Sequence, residues 1–359
     1  RYAQKSWQFS VAEFYQEVRT QVLPSGVHFE KSISYHRLMT EMFAYSYLFV
    51  LRNNTHIPKD IRPRICSMIS FVSFYTMDSG FSPLIGDNDD GRLLPFYRYN
   101  FRDHHYIFAC GIESYFLGTE LEYIIAESAR QISSISIYKD AGFAILRNQN
   151  IYLFVSNSGL SRYTECAGKE YGTHSHNDLL SFVLSIGKTE FITDPGAYVY
   201  TSLPYKRNEF CSTAKHNTII VDGIEQNLLS SKNLFTVRQD ASIEFFSAEE
   251  TSTEISCCGS YTLEADETKL RHERKYIIAK EKNQISISDH LTFKGNHKAT
   301  FYIHFAESVM PVIEDGIIIF EKEEKRLILS FEANYYYNVE ILDDTISPSY
   351  GVLINSKTI

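Results

Sequence analysis

The chain has a single Trp among its 359 residues and few cysteines. The six Cys stand at 66, 110, 166, 211, 257 and 258, and no two of them form a C-x-x-C pair. That scatter excludes a disulfide-stapled scaffold and argues against a zinc site built from cysteines. No apolar run approaches the roughly 18 residues of a membrane-spanning helix. Positive charge is in short supply: 35 Lys and Arg against 44 Asp and Glu leave a formal net charge of −9 at pH 7. Such a balance argues against a nucleic-acid binder and against whole-molecule steering of an anionic polymer. An acidic ligand has to be met by a local basic cleft. The sequence also lacks an initiating Met and a signal peptide; it opens at Arg1 and stops at Ile359 after an apolar stretch, and both ends are expected to be cut.

Aromatic residues are plentiful, with 25 Tyr and 25 Phe. That suits β-rich structure and sugar-facing clefts, although aromatics also fill ordinary cores. The first third reads as helical. Val11, Phe14, Tyr15, Val18 and Val22 follow an i, i+3, i+4, i+7 stripe, a second helix rich in Met, Phe and Tyr covers 35–50, and a third covers about 58–77, with Pro58 and Pro63 near its start. Weaker helical signals follow over 101–125. After about residue 130 the period changes to two. Ile285 and Ile287 alternate with Ser, as do Phe301, Ile303 and Phe305 with Tyr302 and His304, and turn pairs such as Asp222-Gly223 and Asp315-Gly316 separate the runs. The expected fold class is α+β and multidomain: a helical domain over 1–130, then a large antiparallel β-sandwich over 131–359, with the boundary near 127–135.

The chemistry-bearing residues cluster in the middle. Tyr171-Gly-Thr-His174-Ser-His176-Asn-Asp178-Leu-Leu-Ser-Phe182 places two histidines at i and i+2, which on an extended strand share a face. Downstream come Asp194-Pro195-Gly196 and Lys215-His216-Asn217-Thr218. Two imidazole nitrogens and a carboxylate oxygen make a good zinc ligand set; a hydrogen-bonded polar cluster under a loop is the plain alternative. Asp178 reads as a hydrogen-bond partner of a ligand histidine, or as a turn cap. The acidic run Asp87–Arg92 does not follow EF-hand spacing and reads as a structural loop. Tyr35 on its helix reads from the residues alone as core packing, and Tyr198 and Tyr200 either line a cleft or pack in a strand.

The ordered string H-x-H-x-D-x-L-S-F, D-P-G-x-x-x-Y and R-N-x-F-x-S-T-x-x-H-N-T-x-x-V-D-G-x-E-Q, from His174 to Gln226, resembles the C-terminal domain of heparinase II/III-like lyases. Gly86–Arg92, Phe29–His36 and Ser347–Gly351 resemble further family segments, so the likeness spans about residues 25–351. The resemblance implies an (α/α) toroid, here incomplete, packed on an antiparallel β-sandwich. It places one zinc, of a structural kind, on His176, Asp194 and His216. It places His174 and Tyr35 at the catalytic centre. His36, Arg207, Lys215, Tyr198 and Tyr200, near these segments, are the candidate substrate contacts. Lys206 and Arg162 also lie near the motif as possible carboxylate partners.

The implied reaction is β-elimination at a 4-linked uronic acid, giving a 4,5-unsaturated product. A base must reach the C5 proton, the carboxylate must be neutralised, and an acid must protonate O4. The implied partner is an acidic polysaccharide or oligosaccharide, and the implied location is periplasmic or secreted. Two departures stand out. The 34 residues before Tyr35 hold no Asn and only His28, where the family carries an Asn or His that neutralises the substrate carboxylate. Cys211 stands where the family commonly has Arg. Two other readings stay open: a non-catalytic glycan-binding or polysaccharide-assembly protein that keeps the metal, and a zinc hydrolase with an activated water.

Overall fold

The computed structural model describes residues 2–94, 100–109, 133–160, 171–265 and 268–359. Helix α1 covers Tyr2–Gln21, α2 Ile33–Arg52 and α3 Ile61–Tyr75. The apolar stripe read from the sequence is the buried side of α1, through Val11, Tyr15 and Val18. α2 starts at Ser32, whose hydroxyl accepts from the Tyr35 amide and so satisfies one of the free N–H groups of the first turn. Pro63 sits in the first turn of α3, where its missing N–H costs nothing. Of the weaker helical region over 101–125, a short helix α4 at Tyr106–Ala109 is described, and the remainder lies outside the described residues. The expected boundary at 130/131 also lies outside them.

Two antiparallel sheets carry the rest of the core. The first runs in the order β1 (Ile135–Tyr138), β2 (Phe143–Arg147), β3 (Ile151–Ser156), β5 (Ser181–Ile186) and β6 (Thr189–Ile192). The second runs in the order β12 (Gln284–Thr292), β11 (Thr268–Ala279), β10 (Glu254–Ala265) and β9 (Ala241–Glu250). β3 is buried along its whole length. The alternation explains why its sequence is almost continuously apolar: Tyr152 and Phe154 face the helices, while Leu153 and Val155 face the second sheet. A strand covered on both faces has no reason to alternate with polar residues. The helices, the first sheet and the second sheet are therefore three packed layers.

Asp315-Gly316 is a two-residue hairpin turn between β14 (Met310–Glu314) and β15 (Ile317–Lys322), with both residues at positive φ as that turn demands. The run at 301–305 departs from a simple strand. β13 (Ala299–Phe301) stops short, and Ile303 and Phe305 are held instead by backbone bonds to Ile359 and Lys357.

The site lies where the helical layer meets the first sheet. The chain leaving α3 returns through Leu84–Asp90 past the start of α2. The Ser32 hydroxyl donates to the Asp87 carbonyl at 2.6 Å, and the Ser34 hydroxyl to Asn88 at 2.6 Å. The Asp87 amide then donates to the His174 carbonyl at 2.9 Å. Gly86, at φ +75°, is required here, because a Cβ would stand 2.8 Å from that same carbonyl oxygen.

Candidate functional site

His174 and His176 do not lie on a strand. They occupy an irregular segment between β4 (Tyr171–Gly172) and β5. They converge nonetheless, because each reaches a different oxygen of one carboxylate. His174 Nδ1 is 3.1 Å from Asp87 Oδ2, and His176 Nε2 is 3.0 Å from Asp87 Oδ1. Arg207 Nη2 donates to Asp87 Oδ2 at 3.1 Å from helix α5 (Pro204–Cys211), and the Cys211 thiol lies 4.0 Å from Oδ1. Asp87 is completely buried. Burial alone pushes its carboxyl up, but the bonds from His174 and His176 and the nearby Arg207 charge outweigh it and hold it well below the ordinary carboxylate range. The segment Asp87–Arg92 is thus more than a structural loop: it delivers the carboxylate that organises both motif histidines.

His176, Asp194 and His216, the residues the family resemblance marks as ligands, are all buried, with their ligand atoms within 4.8 Å of one another. Asp194 follows β6, and its Oδ1 accepts from the Gly196 amide at 2.9 Å. Its Oδ2 is 2.8 Å from His216 Nδ1. His216 follows a short 3-10 turn, Thr213–Lys215, and its neighbour Asn217 locks the segment by donating to the carbonyls of Phe182 and Thr193. His176 Nδ1 and His216 Nε2 are buried and have no hydrogen-bond partner among the described residues. A buried, unsatisfied ring nitrogen costs about 1–3 kcal/mol. A cation between these side chains removes that cost, so the residues fit a metal. A second group of potential ligands, Asp87, His176 and Cys211, adjoins the first through His176.

Asp178 does not hydrogen-bond a ligand histidine; its partner is the Ser156 hydroxyl at 3.1 Å. Burial pushes its carboxyl up to about 6; the neighbouring Asp194 charge adds to this and His216 and His176 oppose it.

Tyr35, on the first turn of α2, stacks on His174 with ring centroids 3.9 Å apart and planes at 16°. Its hydroxyl donates to Asp89 at 3.2 Å and lies 3.4 Å from the Tyr200 hydroxyl. Burial is the main cause that pushes the Tyr35 phenol up; the Tyr200 hydrogen bond opposes it, and the Asp89 and Asp87 charges add to it. Phe235 packs edge-on against His174 and Tyr200 and lies under the Arg207 guanidinium. Tyr350 ties the rim together: its hydroxyl accepts from the Tyr200 amide, and its amide donates to Asp90.

The remaining expected contacts are placed elsewhere. His36 points into the helical core, fully buried, with Nδ1 on the His28 amide and Nε2 beside Met68 and Thr40. Lys215 turns to Asp344 and the Thr345 carbonyl. Tyr198 packs near Phe210. Lys206 pairs with Glu209 on α5 at 2.8 Å. Arg162 lies outside the described residues. His28 is buried with Nε2 on Gln21, away from Tyr35. Glu30 Oε1 lies 3.7 Å from His174 Nε2. Asp87, Asp89, Glu30, Phe235 and Tyr350 were not singled out one by one by the sequence; Gly86–Arg92, Phe29–His36 and Ser347–Gly351 carried a family signal for all but Phe235, without saying which side chains turn inward.

The family models described as Heparinase II/III-like, C-terminal and Heparinase II/III N-terminus match residues 133–359 and 1–109. The chain belongs to the heparinase II/III-like family. A search of curated proteins finds no match. Among solved structures, heparan sulfate lyase HepC from Pedobacter heparinus superposes with a TM-score of 0.73 at 17% identity, over 99% of this chain and 53% of that one. A structure described as Heparinase III gives 0.73 at 15% identity, over 96% of this chain and 53% of that one. The heparinase II/III-like chain described here spans about half the length of these structures, and the likeness shows a shared α+β fold.

Proposed function

We propose that this chain is the site-bearing part of a polysaccharide lyase that cleaves a uronate-containing glycan by β-elimination, with Tyr35 and His174 at the reacting centre. One observation carries the reading. A tyrosine from the helical layer and a histidine from the sheet layer are stacked at 3.9 Å, and a buried carboxylate orients the histidine. With His174 Nδ1–H donating a hydrogen bond to the Asp87 carboxylate, Nε2, 3.7 Å from Glu30 Oε1, is the nitrogen proposed to take the C5 proton. Tyr35, whose pKa is raised, keeps its proton at neutral pH and is suited to deliver it to O4. Arg207 is the proposed partner of the uronate carboxylate. Its Nε and Nη1 are buried without a hydrogen-bond partner among the described residues, a state that an anion relieves. Tyr200 is the proposed sugar contact beside Tyr35.

His176, Asp194 and His216 would hold a zinc ion, which when bound supplies fixed positive charge that shapes the segment carrying His174. Helices α1–α3 are read as part of an (α/α) toroid, and the protein as periplasmic or secreted. The likeness to HepC, a heparan sulfate lyase, supports an acidic glycan as substrate.

The test is ultraviolet absorbance over time with a panel of uronate polysaccharides, comparing the wild type with Tyr35→Phe and His174→Ala. The conjugated product absorbs without a coupled reagent. A rise that either substitution slows by about 10²–10⁴-fold supports the assignment. Turnover that persists in both variants refutes it. Glycan affinity with no absorbance change favours the binding-protein reading.

A further inference from the structure

The family motif accounts for one face of His176; its other face meets Asp87 and Cys211. Asp87, His176 and Cys211 are all buried, and one donor atom from each lies within 4.8 Å of the others. Asp87 Oδ1 is 3.0 Å from His176 Nε2 and 4.0 Å from Cys211 Sγ. Two ligands of one tetrahedral zinc-sized ion, at metal distances of about 2.0 Å to oxygen or nitrogen and 2.3 Å to sulfur, sit roughly 3.3–3.6 Å apart. The observed separations bracket that range, so a few tenths of an ångström of adjustment admits a cation. The thiol, by contrast, is at the outer limit of a hydrogen bond to Asp87.

We propose that Asp87, His176 and Cys211 form a second cation position, suited to a thiophilic divalent ion and adjoining the His176–Asp194–His216 group. The two nitrogens of one imidazole point to opposite edges of the ring. His176 Nε2 faces Asp87, while its Nδ1 is buried and unpartnered. A neutral ring has one lone pair and one N–H, so His176 ligates in one group at a time: Nε2 serves the Asp87–Cys211 position while Nδ1 keeps the ring proton. Arg207 does not occupy the position, because it binds Oδ2 of Asp87 while Oδ1 faces His176 and Cys211. The thiolate is the form that ligates, and the thiol proton passes to solvent as the ion binds. A thiolate selects for soft or borderline ions such as zinc, cobalt or cadmium over magnesium or calcium. An arginine at position 211 would supply no such ligand, so the position depends on this chain's own departure from the family pattern. The proposal does not depend on the lyase reading.

The experiment adds Co²⁺ to metal-stripped full-length protein and records the near-ultraviolet thiolate-to-cobalt charge-transfer band, for the wild type, Cys211→Ser and His216→Ala. The band should appear in the wild type, vanish in Cys211→Ser, and persist in His216→Ala, where the adjoining group is broken. Cobalt affinity measured through the wild-type band should exceed that of Cys211→Ser at this position by more than about tenfold, the scale on which even outer partners of a metal register. No band in the wild type, or a band that survives in Cys211→Ser, overturns the assignment. A band lost in His216→Ala also overturns it, because the thiol would then serve the adjoining centre. Circular dichroism of each apo variant checks that the fold is retained.

Discussion

Replacing Asp87 with Asn is the sharpest probe of the site, because the substitution keeps the shape and removes only the charge. The carboxylate is fully buried and receives His174, His176 and Arg207. Arg207 is itself 1% exposed, and its Nη2 otherwise meets only the Thr173 carbonyl, at 3.3 Å. Asp87→Asn therefore strands a guanidinium in the interior. Removing one partner of a buried ion pair costs about 3–5 kcal/mol. For a chain of this size, at roughly 2 °C per kcal/mol, the midpoint of thermal unfolding should fall by about 6–10 °C. Urea unfolding at neutral pH should show the same loss as a lowered midpoint with unchanged slope. Asp89, two residues along the same loop, is exposed and serves as the control: Asp89→Asn should stay within about 0.5 kcal/mol of the wild type. A cost below about 1 kcal/mol for Asp87→Asn, or equal costs for the two variants, would refute the view that Asp87 is the charged hub of the site.

Two further outcomes are expected. In metal-stripped protein the Asp178 carboxyl, pushed up to about 6, binds its proton more tightly folded than unfolded, so its contribution is complete below about pH 4 and is lost as pH rises through about 6; stability should fall by on the order of 2 kcal/mol across that window, and Asp178→Asn should flatten the decline, as measured by urea midpoints at pH 4.5, 5.5 and 7. Arg274 on β11 donates to Asp289 and, at 2.8 Å each, to the carbonyls of Leu180 and Asn217, so it ties the second sheet to the segments flanking His176 and His216. Arg274→Leu should cost about 3–5 kcal/mol and reduce bound metal; a variant with normal metal content would show that these segments hold their shape without it.

Much of the fold was legible because its signals are local. The stripe from Val11 to Val22 reports a helix burying one side, the alternation at Ile285 and Ile287 reports a strand in the second sheet, and Asp315-Gly316 reports a hairpin turn, since each depends on neighbours a few residues away. The family motif marked His176, Asp194 and His216 as candidate metal ligands, and the fold brings them together because β5 and β6 are adjacent antiparallel strands whose flanking segments return to one place. The sequence could not show that His174 and His176 leave the strand, or that their common partner is Asp87, 87 and 89 residues earlier in the chain. Nor could it show that Lys215 answers Asp344 and that His36 faces the helical core. A residue's type says that it needs a partner; which partner it finds is decided when the helical layer packs on the first sheet and buries both together. The sequence by itself therefore determined the elements and the ligand-rich motif, and the tertiary structure alone decided which charges meet, because burying a charge is tolerable only where packing has already supplied its complement.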